Sequence, residues 1–351
     1  MSATGSPRFA SVDALRGITV AAMIFVNDPG DWSHIFGPFG HAGWNGCTPT
    51  DLIFPTFLFL VGVSLSLAGG PRVDAGADLG ALQRAWWWRA LRILLLGWAL
   101  AAIALWTLPQ PAEFSVPWRP MGILQRIAIC FGLVGWLYLH AGARARAVLY
   151  GLLLVGYAAL LWAGGDLSRE HSLPSRVDTW LLGRFEYRYD PATGLGYDPE
   201  GFLSTLGALT NTLLGAQCGD WLRRRQLRPV LMAGATCLVL GYALHRLGPI
   251  PMNKALWTPP FALFSGGISA LGLVVVHHLV DQRGWPPVGR RFGVNAITAY
   301  TGSILLLCLL DGTPLHRWIY GPLAATLTPV LSPAVPSHLY AAAQVLFWWL
   351  V

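Results

Sequence analysis

Residues 52–68 read LIFPTFLFLVGVSLSLA, seventeen positions without a charge, opened by Asp51 and followed shortly by Arg72. As a helix rising ~1.5 Å per residue the run covers about 25 Å, close to the hydrocarbon thickness of a bilayer. Water cannot pair the backbone there, so a helix is the structure that satisfies every N–H and C=O within the segment. Similar runs recur at Leu15–Asn27, Ala90–Trp106, Met121–Leu139, Ala147–Ala163, Phe202–Leu222, Val230–Leu247, Phe261–Val280, Val294–Leu310 and Tyr340–Val351. The expected fold is an all-α integral membrane protein of about ten transmembrane helices, or eleven if Trp318–Leu331, read as a half-span, is counted. With 54 % apolar and 12 % charged residues in 351, the chain lacks the polar surface a soluble domain of this size needs. The leader Met1–Ser11 has no small-residue cleavage exit, so the first helix is expected to stay in the mature protein. The last run stops at Val351, where the chain either ends flush with the membrane or loses a tail.

Charge gives the spans a direction. With the N-terminus cytoplasmic, the inner segments hold Arg8, Arg16, Arg72, Arg84, Arg89, Arg92, Arg144, Arg146, Arg223, Arg224, Arg225, Arg228, Arg283, Arg290 and Arg291, fifteen of the 24 cationic residues. The outer segments hold eight, four of them in a loop diluted by acids, and Arg126 lies within a span. The net charge of +7 is thereby explained as a positive-inside signature, without a nucleic-acid partner. Two outer segments are long. Residues 28–50 carry no Lys or Arg and many aromatics and glycines, which predicts a loop folded back on the helix ends. Residues 164–201 carry both charge signs and predict an outer cap over a site. All but one of the cations are arginine, which with the Ala, Gly and Leu excess suggests a GC-rich bacterial gene.

Polar groups inside a span need a partner or a function. Asp13 and Arg16, at i,i+3, either pair on one helix face or hold a ligand. Asn27 closes the first span, Asp51 opens the second, and Gln125 and Arg126 sit just inside the fourth. His41 lies on the outer side in His41-Ala42-Gly43-Trp44-Asn45-Gly46, where small residues allow close approach and an imidazole can take a proton from an attacking amine or hydroxyl. Spacing alone equally permits a loop histidine bonded to a carbonyl. The remaining histidines show no HxxxH or HExxH spacing, and adjacent His277 and His278 diverge on a helix, so no metal site is expected. The five cysteines form no CxxC pair and read as small core residues.

Eight strings then occur in order: Ser11–Gly17 (SVDALRG), Phe25–Asn27 (FVN), His41–Gly46 (HAGWNG), Asp51–Pro55 (DLIFP), Gly122–Arg126 (GILQR), Tyr197–Gly201 (YDPEG), Asn253–Trp257 (NKALW) and Gly293–Asn295 (GVN). Together they cover most of the chain, and the set resembles the catalytic core of heparan-α-glucosaminide N-acetyltransferase and its bacterial relatives. The resemblance implies a single transmembrane acyltransferase domain over 1–351 that uses acetyl-CoA from the cytoplasm to acetylate the amine of a glucosamine on the far side. It implies that His41 is the active-site histidine and Asn27 its neighbouring asparagine. The lysosomal enzyme carries a further luminal segment and span ahead of the Ser-Val-Asp string, whereas this chain begins almost at that string. The expected setting is therefore a bacterial inner membrane, with a smaller amino sugar or an oligosaccharide as acceptor.

On that reading the nucleotide of CoA enters among Arg16, Arg72, Arg84, Arg89 and Arg92. His41 acts as general base or carries the acetyl group itself. Asn27 and Asn45 are candidates to bind the thioester oxygen, and Asp51 either orients His41 or caps the second span. Gln125, Arg126, Asp198, Glu200, Asn253 and Lys254 fall at the outer ends of spans, where they would line a sugar site; a loop salt bridge explains Asp198 and Glu200 equally well. A second copy of the chain is left open as a partner. The rival reading is a secondary transporter of an amino sugar or related solute, since intramembrane polar groups and a capped cavity also suit a carrier.

Overall fold

The computed structural model describes residues 9–108, 118–311 and 313–351; Arg8 of the inner charge set lies outside them. The architecture is helical: α1 (Ala10–Asn27), α2 (Ile53–Asp74), α3 (Leu79–Thr107), α4 (Ile123–His140), α5 (Ala143–Gly164), α6 (Leu173–Leu182), α7 (Thr205–Arg223), α8 (Leu227–Leu247), α9 (Pro259–His277), α10 (Arg290–Val294), α11 (Ala296–Asp311), α12 (Leu315–Leu327) and α13 (Ala334–Leu350). Among the described residues, seven segments, built on α1 to α5, α8 and α9, are long and apolar enough to cross a membrane. An eighth is added if α11 and α12, bent 82° apart, form one broken span. The run read at Phe202–Leu222 falls on α7, which carries Thr210, Asn211, Thr212 and Asp220 and is buried along most of its length. That polarity keeps it below the apolarity of the other seven. The last run falls on α13, which begins at Ala334 rather than at Tyr340.

The core forms where α7 lies against α2. A Cβ added at Gly62 would stand 1.9 Å from the Thr212 carbonyl oxygen, and one at Gly215 1.9 Å from that of Phe59, so only glycine lets the two backbones meet. Around this seam Leu58, Leu65, Val134, Ala208 and Phe261 are buried in one cluster. The cap over 164–201 is built from α6 and a short hairpin, β1 (Arg188–Asp190) and β2 (Leu195–Tyr197), antiparallel with Tyr189 opposite Gly196. Ser172 starts α6, its hydroxyl accepting from Ser175 N, with proline in the first turn. Loop 28–50 docks on this cap and on the α8–α9 turn: Trp44 Nε1 donates to Leu167 O at 2.9 Å and Gly46 N to Met252 O at 2.8 Å. Arg169 donates to Gly43 O and lies 5.3 Å over the rings of both Trp44 and Tyr197. The loop and cap define one end of the bundle; the turns bearing Arg72, Arg144 and Arg223 to Arg225 lie at the other.

Candidate active site

The site begins at the turn ahead of α2. Thr48 and Asp51 form a capping box in the 3₁₀ turn Pro49–Leu52, Asp51 Oδ2 accepting from Thr48 N and Thr48 Oγ1, each at 3.0 Å. The same oxygen accepts from Ala42 N at 3.1 Å, while Oδ1 lies 2.7 Å from His41 Nδ1. One carboxylate, with its side chain 1 % exposed, thus caps the helix and orients the imidazole. An ionised carboxylate only accepts, so the Nδ1 proton goes to Asp51 and Nε2 keeps its lone pair.

Lys254 reaches this pair from the α8–α9 turn, its Nζ 3.1 Å from His41 Nδ1 and 3.5 Å from Asp51 Oδ1. Burial lowers the lysine's pKa, against the opposing pull of Asp51 and Glu200. The turn is locked from below: Asn253 donates to Trp44 O at 2.9 Å and to Asn45 Oδ1 at 3.3 Å, and accepts from Leu256 N at 2.8 Å. Asn253 thus uses its amide, and Asn45 its side-chain oxygen, to join the loop to the turn. Trp257, at φ 48°, ends the turn and donates to Asn211 Oδ1.

The acidic string of the cap is held by Arg119, a residue the sequence offers only as an outer charge. Its Nε donates to Asp198 Oδ2 at 3.0 Å, and Nη2 donates to both Asp198 Oδ1 and Glu200 Oε2. Burial works to raise the Glu200 pKa, but Arg119 and Arg126 hold it below the usual range. Arg126 is fully buried, donating to Gly201 O at 3.0 Å and to Ser204 Oγ, with its guanidinium over Trp257. Gln125 is buried beside Gly97 and Gly122.

A cavity of about 450 Å³ gathers part of this set. Its wall follows α2 from Ile53 and Phe54 through Phe57, Val61 and Ser64 to Ala68, a rise of about 22 Å at ~1.5 Å per residue. At the cap end it is lined by His41, Lys254, Glu200 and Asn27, and at the other by Arg16, Trp86, Arg89 and Asn295. Asp198, Gln125, Arg126, Asn45 and Asn253 stand behind that wall rather than on it. Arg72, Arg84 and Arg92 are exposed and off the wall. Arg16 pairs with Asp13 at 3.2 Å and also donates to Gly293 O and Ser64 Oγ. Arg89 has a cation–π contact with Phe131 and no carboxylate partner among the described residues. Tyr300, on α11, lines the cavity and had no distinguishing spacing in the sequence.

The family model for the catalytic domain of heparan-α-glucosaminide N-acetyltransferase matches residues 8–179, which contain Arg16, Asn27, His41, Asp51 and Arg89. The human protein of that name is 28 % identical over 359 residues, covering 84 % of this chain and 52 % of its own length. Over most of its length the chain is similar to this family. The mouse protein of the same name is 25 % identical over 362 residues, covering 85 % of this chain and 54 % of its own. The chain thus spans about half the length of the curated relatives it matches. Glu200, Lys254 and Tyr300 lie beyond the segment that the family model covers.

Proposed function

We propose that the protein is a transmembrane N-acetyltransferase that moves an acetyl group from cytoplasmic acetyl-CoA to the amine of a glucosamine-type sugar at the opposite membrane face. The observation that carries this reading is the cavity joining Arg89, a guanidinium without a carboxylate partner among the described residues, to the His41–Asp51 pair. Arg89, exposed on α3 and on the cavity wall, leaves its guanidinium open to an anionic ligand such as the diphosphate of CoA. The donor's narrow arm would follow α2 to the cap end. There His41 Nε2 takes the amine proton or accepts the acetyl group, the Asn27 amide faces the thioester oxygen, and Glu200 meets the acceptor's ammonium form. The bias of fifteen arginines to one side supports a cytoplasmic N-terminus, and the arginine-rich composition with its Ala, Gly and Leu excess supports a bacterial inner membrane as the setting.

Purified protein incubated with radiolabelled acetyl-CoA and glucosamine tests the proposal. Wild type is expected to label the sugar and His41→Ala to fall to background. Label retained on the protein without acceptor, and lost in His41→Ala, supports an acetyl-histidine step. Sugar uptake into liposomes with no transfer to any amino sugar would sink the enzyme reading in favour of a carrier.

A further inference from the structure

Acetyl transfer passes through a tetrahedral intermediate whose negative charge falls on the former carbonyl oxygen, and a site built for it presents more than one hydrogen-bond donor to that oxygen. Of the side-chain amides near His41, Asn45 stands off the cavity wall, with its Oδ1 accepting from Asn253. Asn253 is itself fully buried and triply bonded. Asn27 is left as the lone amide at the cap end of the cavity. Lys254 is engaged by Asp51, its Nζ 3.5 Å from Oδ1.

One further donor faces the same space. Tyr300 lines the cavity from α11, its ring packed with Ile297 and Ile304 against the main apolar cluster. Its hydroxyl makes no hydrogen bond among the described residues, while Glu200, Arg119 and Asp28 lie within electrostatic reach of it. Those neighbours set the phenol at the cap end, in the chamber that Glu200 shares with Lys254. A hydroxyl on the cavity wall without a protein partner among the described residues is open to a hydrogen bond from a ligand that enters there.

We infer that the Tyr300 hydroxyl donates a hydrogen bond to the thioester carbonyl oxygen as it becomes an oxyanion, forming with the Asn27 amide a two-donor site. The inference rests on the acetyltransferase reading. In the direct form of the step, the amine nitrogen's lone pair forms the new C–N bond as His41 Nε2 takes an N–H proton, and the C=O π pair moves onto oxygen. The pair returns to re-form C=O as the C–S bond breaks. The CoA thiolate leaves and takes the proton from the His41 imidazolium, giving the N-acetyl sugar and CoA thiol. Tyr300 keeps its own proton throughout and is a catalytic residue by contact with the reacting oxygen.

Tyr300→Phe removes only the hydroxyl and keeps the ring in its packing. The expected result is a kcat lower by about 100-fold, the usual loss for one oxyanion donor, with KM for acetyl-CoA and thermal stability close to wild type. S-ethyl-CoA, which lacks the thioester carbonyl oxygen, should bind wild type and variant equally. A kcat close to wild type overturns the assignment, as does weaker S-ethyl-CoA binding large enough to account for the loss. The two readings fail separately: a wild type that transfers acetyl while Tyr300→Phe keeps full kcat removes Tyr300 alone. A wild type that labels no amine removes the acetyltransferase reading and the oxyanion site with it.

Discussion

At the scale of single residues, the site turns on how one carboxylate divides its two oxygens. Asp51 Oδ2 serves the backbone and side chain of the helix cap, and Oδ1 serves His41. Asp51→Asn keeps a hydrogen-bonding group but presents an amide to an imidazole that needs an acceptor, favouring the wrong tautomer. Its kcat is expected to fall by roughly 10²- to 10⁴-fold, while unfolding in detergent shows a loss of only about 1 kcal/mol from the weakened cap. Arg89→Gln should act differently, raising KM for acetyl-CoA about tenfold, or ~1.4 kcal/mol, with kcat nearly unchanged, because it removes binding common to ground and transition states. Initial rates over a range of donor concentrations separate the two effects. His41, Asn27 and Asp51 could be singled out from sequence because they fall within short ordered strings. Whether Asp51 orients or caps could not be read, since one side chain does both. Lys254 came only as a member of its string; its distance from His41 depends on a turn 213 positions away.

Among the elements, α7 was legible as an apolar run, but its place at the centre of the bundle was not. Its Asn211 and Asp220 look like solvent groups in one dimension and are satisfied only by other helices: Asn211 by Trp257 and Ala262, Asp220 by Ser66, Tyr138 and Arg146. The glycine seam with α2 sets how near the two helices come. Gly215→Leu must displace the Phe59 carbonyl, and a loss of at least ~3 kcal/mol is expected, seen as a lower unfolding midpoint in detergent. The cap carries a different liability. Burial raises Asp178 to about 7 and Glu186 to about 8, from 3.8 and 4.5, so the folded cap keeps protons that the unfolded chain gives up. Cap stability is therefore full below pH ~4 and declines as pH rises toward about 7 to 8, levelling beyond. Hydrogen-exchange protection over α6, taken relative to the intrinsic rate at each pH, should fall across that window, and Asp178→Asn with Glu186→Gln should flatten the trend.

For the whole molecule, the helical, apolar character was readable because bilayer physics writes it in composition; the count of about ten was not, since seven or eight helices among the described residues are long and apolar enough to cross, and the cavity was not, since it is made by α1, α2, α3, α4 and α11 together. Sidedness is the property to measure. Proteoliposomes with acetyl-CoA trapped inside and a membrane-impermeant amino sugar outside are expected to acetylate the sugar without sugar entering the lumen. Only molecules inserted with the arginine-bearing end inward should contribute, so blocking the exposed loops of that orientation ought to reduce the rate in proportion. The α2 wall adds a constraint of length. A single rigid helix carries both the wall near Arg89 and the wall near His41, so in the proposed reaction it works as a ruler of about 22 Å. A thioester whose arm is shorter than that cannot hold its charge at one mark and its acetyl group at the other. Truncated donors such as acetyl-S-cysteamine are then excluded by reach, although they carry the same reactive bond.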